Sequence, residues 1–247
     1  TGNPGDTVTI YNGGVKLDDV VVDGTGNWTW TPATPLPNGT YDITLTVTNM
    51  DGTGNESAPS QPVTITIDTD PPATPAAPVI TDSVSQVTGP VPDGGTTNDP
   101  RPVLSGTGTA NDVINITDTV NGIPTVVGTV TVDSTGNWSW RPDSNIGEGS
   151  HVYTATATDE AGNVSAASPA ITITVDTVAP DTPVISAVGG EPSGGFITDA
   201  TPTVGGTGVN GETVIVYNNG VELGRVVVAN GEWNIDLPAQ TDGPLNI

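Results

Sequence analysis

Aspartate side chains recur at two places where an alternating strand gives way to a proline-containing segment. The first is Asp68-Thr-Asp-Pro-Pro, which follows a predicted strand at 63–67, and the second is Asp176-Thr-Val-Ala-Pro-Asp, which follows one at 170–175. Carboxylates held close together repel one another unless a cation lies between them, yet the chain has only 4 Lys and Arg against 28 Asp and Glu. Ca²⁺ prefers six to eight oxygen ligands. The two segments therefore predict joints that bind Ca²⁺.

The other side chains that could do chemistry are few and do not form a catalytic set. The chain has no cysteine and a single histidine, His151, which excludes a thiolate metal site and argues against a zinc site. His151 begins an alternating strand, and the matching position of a neighbouring repeat holds Tyr41. We therefore interpret His151 as a strand-surface residue, and the sequence predicts no enzyme activity.

The net charge of −24 excludes two classes of partner. Nucleic-acid binding requires Lys and Arg to displace the counterions of the phosphates, and anionic membrane surfaces attract basic segments in the same way. No apolar run approaches the roughly 20 residues of a membrane span, so no membrane insertion is predicted.

A repeat of about 100 residues must position the acidic side chains. The sequence DGTGNWTW at 23–30 matches DSTGNWSW at 133–140, and ANGEW at 229–233 is a looser third copy. Two tryptophans that lie two residues apart project to the same face of a strand. Because large aromatic side chains dominate burial, we interpret these tryptophans as core residues rather than as a platform that stacks on sugars.

Apolar residues alternate within each repeat, and Asn12-Gly13, Asn121-Gly122 and Asn219-Gly220 predict tight hairpin turns. No window has a helical period. The pattern predicts an all-β fold of tandem immunoglobulin-like β-sandwiches that form an elongated rod. We expect three domains: 1–69, which lacks its opening strands, a complete domain at 70–176, and 177–247, which lacks its final strands.

The topology of such a sandwich predicts which acidic residues meet. The end of the last strand shares a pole with the loop between the first two strands, so Asp176 and Asp99 are expected to face the third domain. The opposite pole carries Asp133 and Asp159 and is expected to face the first joint. The predicted cation ligands are Asp68, Asp70, Asp133 and Asp159 at the first joint, and Asp99, Asp176, Asp181 and Glu212 at the second.

Five short motifs in this order resemble the tandem bacterial immunoglobulin-like repeats of giant, type I-secreted, non-fimbrial adhesins. They are Asp-Thr-x-x-Pro at 68–72, Thr-Asn-Asp-x-x-Pro at 97–102, Gly-x-Gly-x-x-x-Asp at 106–112, Gly-Asn-Trp-x-Trp at 136–140 and Asp-x-Ala-Gly-Asn-x-Ser at 159–165. The resemblance covers the whole chain.

This resemblance implies a secreted, extracellular rod at the bacterial cell surface that carries a distal binding tip to host cells. Its partners would be the neighbouring immunoglobulin-like domains of the same chain, with the chain itself a monomer. The joint aspartates that the resemblance implies as Ca²⁺ ligands are Asp68, Asp99, Asp159, Asp176 and Asp199. Val178 stands where the first joint has Asp70, so the two joints are expected to bind differently.

Two other functions stay open. One is an adhesive module that itself binds a glycan or receptor through exposed loops, which an aromatic residue in a loop would favour. The other is an accessory sandwich attached to a secreted hydrolase, which a neighbouring catalytic domain would identify.

Overall fold

The structure of the chain is a computed structural model that describes residues 2–50, 53–85 and 88–247. The chain divides into two compact units, 1–177 and 178–247. The described residues contain β-strands and no helix, and so no helix long and apolar enough to cross a membrane. Valine, isoleucine and threonine dominate the strands because branched side chains fit a pleated, half-buried surface.

The first domain of the first unit is a four-stranded sheet in the order β2-β1-β3-β4, with all neighbours antiparallel. Its strands are β1 (Thr7–Asn12), β2 (Val15–Val21), β3 (Gly39–Thr48) and β4 (Val63–Ile67). Within the described part of this domain there is a single sheet.

The second domain has two sheets. Their strands are β5 (Val79–Asp82), β6 (Gly89–Val91), β7 (Gly95–Thr97), β8 (Val103–Thr107), β9 (Val113–Val120), β10 (Ile123–Thr131), β11 (Asn137–Trp140), β12 (Gly149–Thr158) and β13 (Ile171–Val175). One sheet has the order β10-β9-β12-β13-β7 and the other β11-β8-β5-β6. Strand β7 pairs with β13 in parallel, whereas every other pairing is antiparallel.

The two sheets of the second domain bury one apolar core between them. Ile80, Leu104 and Trp138 come from one sheet, and Ile116 and Ile173 come from the other. The equivalent face of the first domain has no covering sheet among its described residues: Ile65 is 39% exposed, whereas its counterpart Ile173 is fully buried. The same alternating strand thus becomes core only where a second sheet covers it.

The second unit contains five strands: β14 (Val184–Val188), β15 (Thr203–Thr207), β16 (Thr213–Asn218), β17 (Val221–Val227) and β18 (Glu232–Asp236). Strands β14-β15-β18 form one sheet and β16-β17 form a hairpin. Val204, Val216 and Trp233 lie at the centre of its apolar cluster. The prediction of an all-β fold built from tandem immunoglobulin-like domains is confirmed.

Glycine and tryptophan form a repeated packing unit. A Cβ atom at Gly106 would lie 2.7 Å from the Trp138 ring, and one at Gly206 would lie 2.9 Å from the Trp233 ring. Both tryptophans are buried, as predicted, whereas Trp28, Trp30 and Trp140 are only half-buried. Gly106 therefore leaves the space that an indole ring fills, and Gly206 leaves space for both an indole ring and the backbone carbonyl of Val184.

The hairpin turns follow the sequence at two of three positions. Asn121-Gly122 and Asn219-Gly220 have the positive φ angles of type I′ turns. In the first domain the prediction is wrong by one residue, because Gly13 and Gly14 form the turn. Asn12 remains in β1, where its side-chain oxygen accepts a hydrogen bond from the Asp42 amide.

Candidate functional site at the domain joints

The first turn of each linker is fastened to the domain that precedes it. Thr69 donates its backbone N–H and its hydroxyl to Asn38 Oδ1, over 3.1 and 2.9 Å. Thr177 makes the same two bonds to the Glu148 carboxylate, and its hydroxyl bond lowers the pKa of Glu148. Asn38 and Glu148 both lie directly before the long strands β3 and β12. The threonine of the Asp-Thr motif is therefore an anchor.

The first joint is closed by an asparagine amide. Asn163 Nδ2 donates to the backbone carbonyl of Asp68 over 3.1 Å and to Asp159 Oδ2 over 3.0 Å. Asp159 Oδ1 accepts the backbone N–H of Asn163 over 2.8 Å. The side-chain hydrogen bond from Asn163 lowers the pKa of Asp159, so this carboxylate stays ionised. The first domain is thus held to a loop of the second.

Two linker carboxylates lie beside this contact in the sequence and are exposed. Asp68 Oδ1 accepts the backbone N–H of Asp70 over 3.1 Å, which forms a local turn before Pro71. The Asp70 carboxylate is exposed.

Asp133 closes a turn. Its Oδ1 atom accepts the hydroxyl and N–H of Thr135 and the N–H of Asn137, at 2.6–3.0 Å. The Thr135 hydroxyl, followed by these backbone N–H groups, lowers the pKa of Asp133. Asp23 makes the same three bonds in the first domain. The motif Asp-x-Thr-Gly-Asn therefore encodes a turn.

Asp99 is fully buried and bound by its own domain. Asp99 Oδ2 accepts the N–H and hydroxyl of Ser83, Oδ1 accepts the N–H of Arg101, and the Arg141 guanidinium lies 3.5 Å from Oδ1. Burial alone would raise the pKa of Asp99, but the Ser83 bonds, the Arg101 N–H and the Arg141 charge together lower it. Two of the chain's four basic residues thus lie at this pole.

The predicted proximity of Asp99 and Asp176 has a backbone basis. The Asp176 N–H donates to the Thr97 carbonyl over 3.0 Å, which extends the parallel pairing of β13 and β7. The Asp176 side chain is exposed.

The predicted ligands of the second unit are also at its surface. Asp199 Oδ1 accepts the N–H and hydroxyl of Thr201, over 2.8 and 3.0 Å, and Asp181 is exposed. Glu212 is half-buried and directly precedes β16, and its carbonyl accepts the Val228 N–H.

The oxygen atoms of the described residues at the first joint are of the type that Ca²⁺ prefers, but they do not surround one point. Carboxylate and amide oxygens are what Ca²⁺ prefers, and Asp68, Asp70 and Asp159 offer them around one joint. In the part of the chain that the structure describes, however, no three acidic or histidine side chains converge on one point. An ion at this joint would have to draw the exposed linker carboxylates toward Asp159.

Three contacts of these joints escape the sequence argument. These contacts are made by Asn163, Thr69 and Arg141. The sequence-based prediction of the joints considered only their acidic residues. Repetition signalled the first two, because Asn55 matches Asn163 and Thr177 matches Thr69. Arg141 gave no such signal.

The interpretation of His151 as a strand-surface residue is wrong. His151 is 4% exposed, and its ring nitrogens contact Asp118 and the Gly147 carbonyl. Its counterpart Tyr41 donates its hydroxyl to the Pro37 carbonyl four residues upstream, as in a tyrosine corner. A polar ring at this position bonds back to the chain, and in the second domain the covering sheet buries it.

Comparison with known proteins identifies the family. A family model described as a bacterial Ig-like domain matches residues 1–69 and 74–177, and the chain belongs to this family. No curated protein gives a significant match. Among solved structures, the chain is similar to the tetra-tandem repeat in the extending region of a large adhesion protein, at 18% identity and a TM-score of 0.33. The match covers 99% of this chain and 61% of that one, less than two thirds of its length.

Proposed function

We propose that this chain is a stalk segment of a bacterial surface adhesin, exported to the cell exterior, whose tandem domains hold a distal tip toward host cells. The Asn163 contact carries the proposal, because it ties the end of one domain to a loop of the next. Thr69 and Pro71 restrict the same linker from the other side. A linker fixed at both ends acts as a spacer rather than as a loose tether.

The stalk is proposed to bind Ca²⁺ at its joints. At the first joint Asp68, Asp70 and Asp159 would hold the ion, which would neutralise their mutual repulsion. Asp133 and Asp99 would support the loops around the ions, because their oxygens already accept hydrogen bonds. Asp176, Asp181 and Asp199 are further proposed ligands.

Such a site has a modest effect on each joint. Extracellular calcium modules bind with dissociation constants of about 10⁻⁴–10⁻³ M. At a free concentration ten times the constant, the liganded state gains about 1.4 kcal/mol. This gain is small for one domain, but it repeats at each joint of a tandem array.

Calorimetry and small-angle scattering of the full chain test the proposal. We expect Ca²⁺ to bind and the maximum dimension to fall when EDTA removes it. The double variant Asp68→Asn/Asp70→Asn should lose a bound ion, whereas Asp143→Asn, at an exposed aspartate in the loop between β11 and β12, should not. Absence of Ca²⁺ binding would reject the metal, and equal dimensions with and without EDTA would reject its stiffening role.

One observation favours the adhesive module as a second candidate. Phe196, the only phenylalanine, is 98% exposed in the loop between β14 and β15. An exposed aromatic ring in a loop is suited to stacking on a sugar. Glycan arrays probed with the full chain and with Phe196→Ala separate this candidate from a passive stalk, since only an adhesive module gives a signal that the variant loses.

A further inference from the structure

The second domain contains a buried pair of ionisable side chains on neighbouring strands. His151 Nδ1 lies 2.7 Å from Asp118 Oδ2, and Nε2 lies 2.9 Å from the Gly147 carbonyl oxygen. The residues are 4% and 6% exposed. The pair takes no part in the joints.

The two contacts of His151 require a proton on each ring nitrogen. A carbonyl oxygen only accepts hydrogen bonds, so Nε2 must carry hydrogen. An ionised carboxylate also only accepts, so Nδ1 must carry hydrogen as well. A neutral imidazole has one N–H and would leave one contact with two facing acceptors. Because imidazole is a stronger base than a carboxylate, the shared proton belongs on the ring.

The surroundings supply no other charge that could replace this proton. Tyr153 stacks on the His151 ring, with centroids 6.1 Å apart and planes at 11°. Burial, and then the Asp118 charge, raise the pKa of Tyr153, so it remains neutral. The residue of β13 that pairs with His151 is the uncharged Ile173. The nearby Glu148 carboxylate accepts a hydrogen bond from Thr177. Across the described residues, His151 is the one basic side chain that contacts Asp118.

The first domain has no histidine–aspartate pair at the equivalent positions. Tyr41 stands in the place of His151, and its hydroxyl donates to the Pro37 carbonyl over 2.8 Å. Asn12 stands in the place of Asp118, because Asn12 pairs with Ile43 as Asp118 pairs with Tyr153. Both partners differ together between the two domains.

We propose that His151 and Asp118 form a proton-dependent clamp between β9 and β12 that weakens the second domain as the pH rises above neutral. An unfolded histidine gives up its proton near pH 6.5, whereas in the folded domain both ring nitrogens of His151 face acceptor oxygens, each of which requires an N–H. Above that pH the folded state therefore binds one proton more than the unfolded state. The folding equilibrium constant then falls by up to about tenfold per pH unit.

The first test reads the protonation state directly in the full chain. His151 is the only histidine, so its two ring ¹⁵N signals are assigned without ambiguity. We expect both nitrogens to be protonated at pH 7.5. A spectrum with one unprotonated ring nitrogen at that pH would overturn the clamp, and this test needs no variant.

The second test uses the first domain as the template for a variant. The double substitution His151→Tyr/Asp118→Asn replaces the clamp with the pair found in the first domain. Urea unfolding is followed through the Ala155 amide signal between pH 6.5 and 8.5, in the wild-type chain and in the variant. We expect the unfolding constant to rise with pH only in the wild type. A flat wild-type profile, or an equal rise in the variant, contradicts the proposal.

Discussion

Two serine side chains of the second domain replace missing backbone partners of strand β12. Ser165 and Ser168 lie beside β12, and their hydroxyls accept the N–H groups of Ala157 and Ala155 over 2.9 and 3.0 Å. The serine N–H groups return bonds to the carbonyls of the same two alanines. A short irregular segment thereby pairs the backbone N–H and C=O groups at the free edge of β12, although the segment is not itself a strand.

Ser168→Ala is expected to destabilise the second domain. The Ala155 N–H is buried and would lose its acceptor, at a cost of about 1–3 kcal/mol in the free energy of unfolding. Ser60→Ala is the matched control, because Ser60 makes the same bond to Leu45 at an exposed site of the first domain. Urea unfolding of both variants measures the difference, and equal losses would contradict the role of burial.

At the residue scale the sequence predicted which aspartates lie at turns and joints, but not which groups their carboxylates bind. Aspartates at turns were recognisable, but the choice between a metal ligand and a turn cap depends on which N–H groups lie nearby. For Asp133 those donors are local and form part of its own motif. For Asp99 the guanidinium of Arg141 arrives from a distant segment through the pairing of β11 with β8. No local pattern encodes that meeting.

Strands and turns follow the local sequence more closely, because alternation and turn chemistry act over a few residues. Asn121-Gly122 specified its hairpin through the positive φ that both residues tolerate. Asn12 did not, because its side chain is held by the Asp42 amide of the neighbouring strand. Burial was predicted less well: Ile65 and Ile173 have the same alternating context, and only the second has a covering sheet.

Gly106→Ala is expected to disrupt the packing of β8 against β11. The added methyl group would meet the Trp138 ring at 2.7 Å, well inside contact distance, and overpacking of this kind costs about 1–3 kcal/mol. Gly147→Ala is the control, since a Cβ there meets no atom within 4 Å. Thermal unfolding and the near-ultraviolet dichroism of tryptophan should change in the first variant only. An unchanged tryptophan signal would show that the ring has room to move.

At the scale of the whole chain, the side-chain amide of Asn163 makes a hydrogen bond that crosses the first joint. Asn163→Ala removes both the bond to the Asp68 carbonyl and the bond to Asp159 Oδ2. Losing a net hydrogen bond of about 0.5–1.5 kcal/mol should open the joint about two- to tenfold more often.

Limited proteolysis measures this opening, with cleavage sites in the 68–76 linker identified by mass spectrometry. Cleavage there should accelerate in Asn163→Ala. The control is Asn55→Ala, which removes the matching amide of the first domain, where it reaches Thr53. Equal linker cleavage in the two variants would mean that Asn163 does not hold the joint.

The parallel pairing of β7 with β13 gives the second domain a mechanical property. Ile173, Thr174 and Val175 pair with Gly95, Thr96 and Thr97, and the Asp176 N–H adds a further bond to Thr97. A tension on the chain beyond Thr177 that acts along the axis of β13 slides this strand past β7 along its length. The bonds between them are then loaded in shear, all at the same moment, instead of breaking one after another. Under traction the domain would therefore yield only when the whole ladder fails.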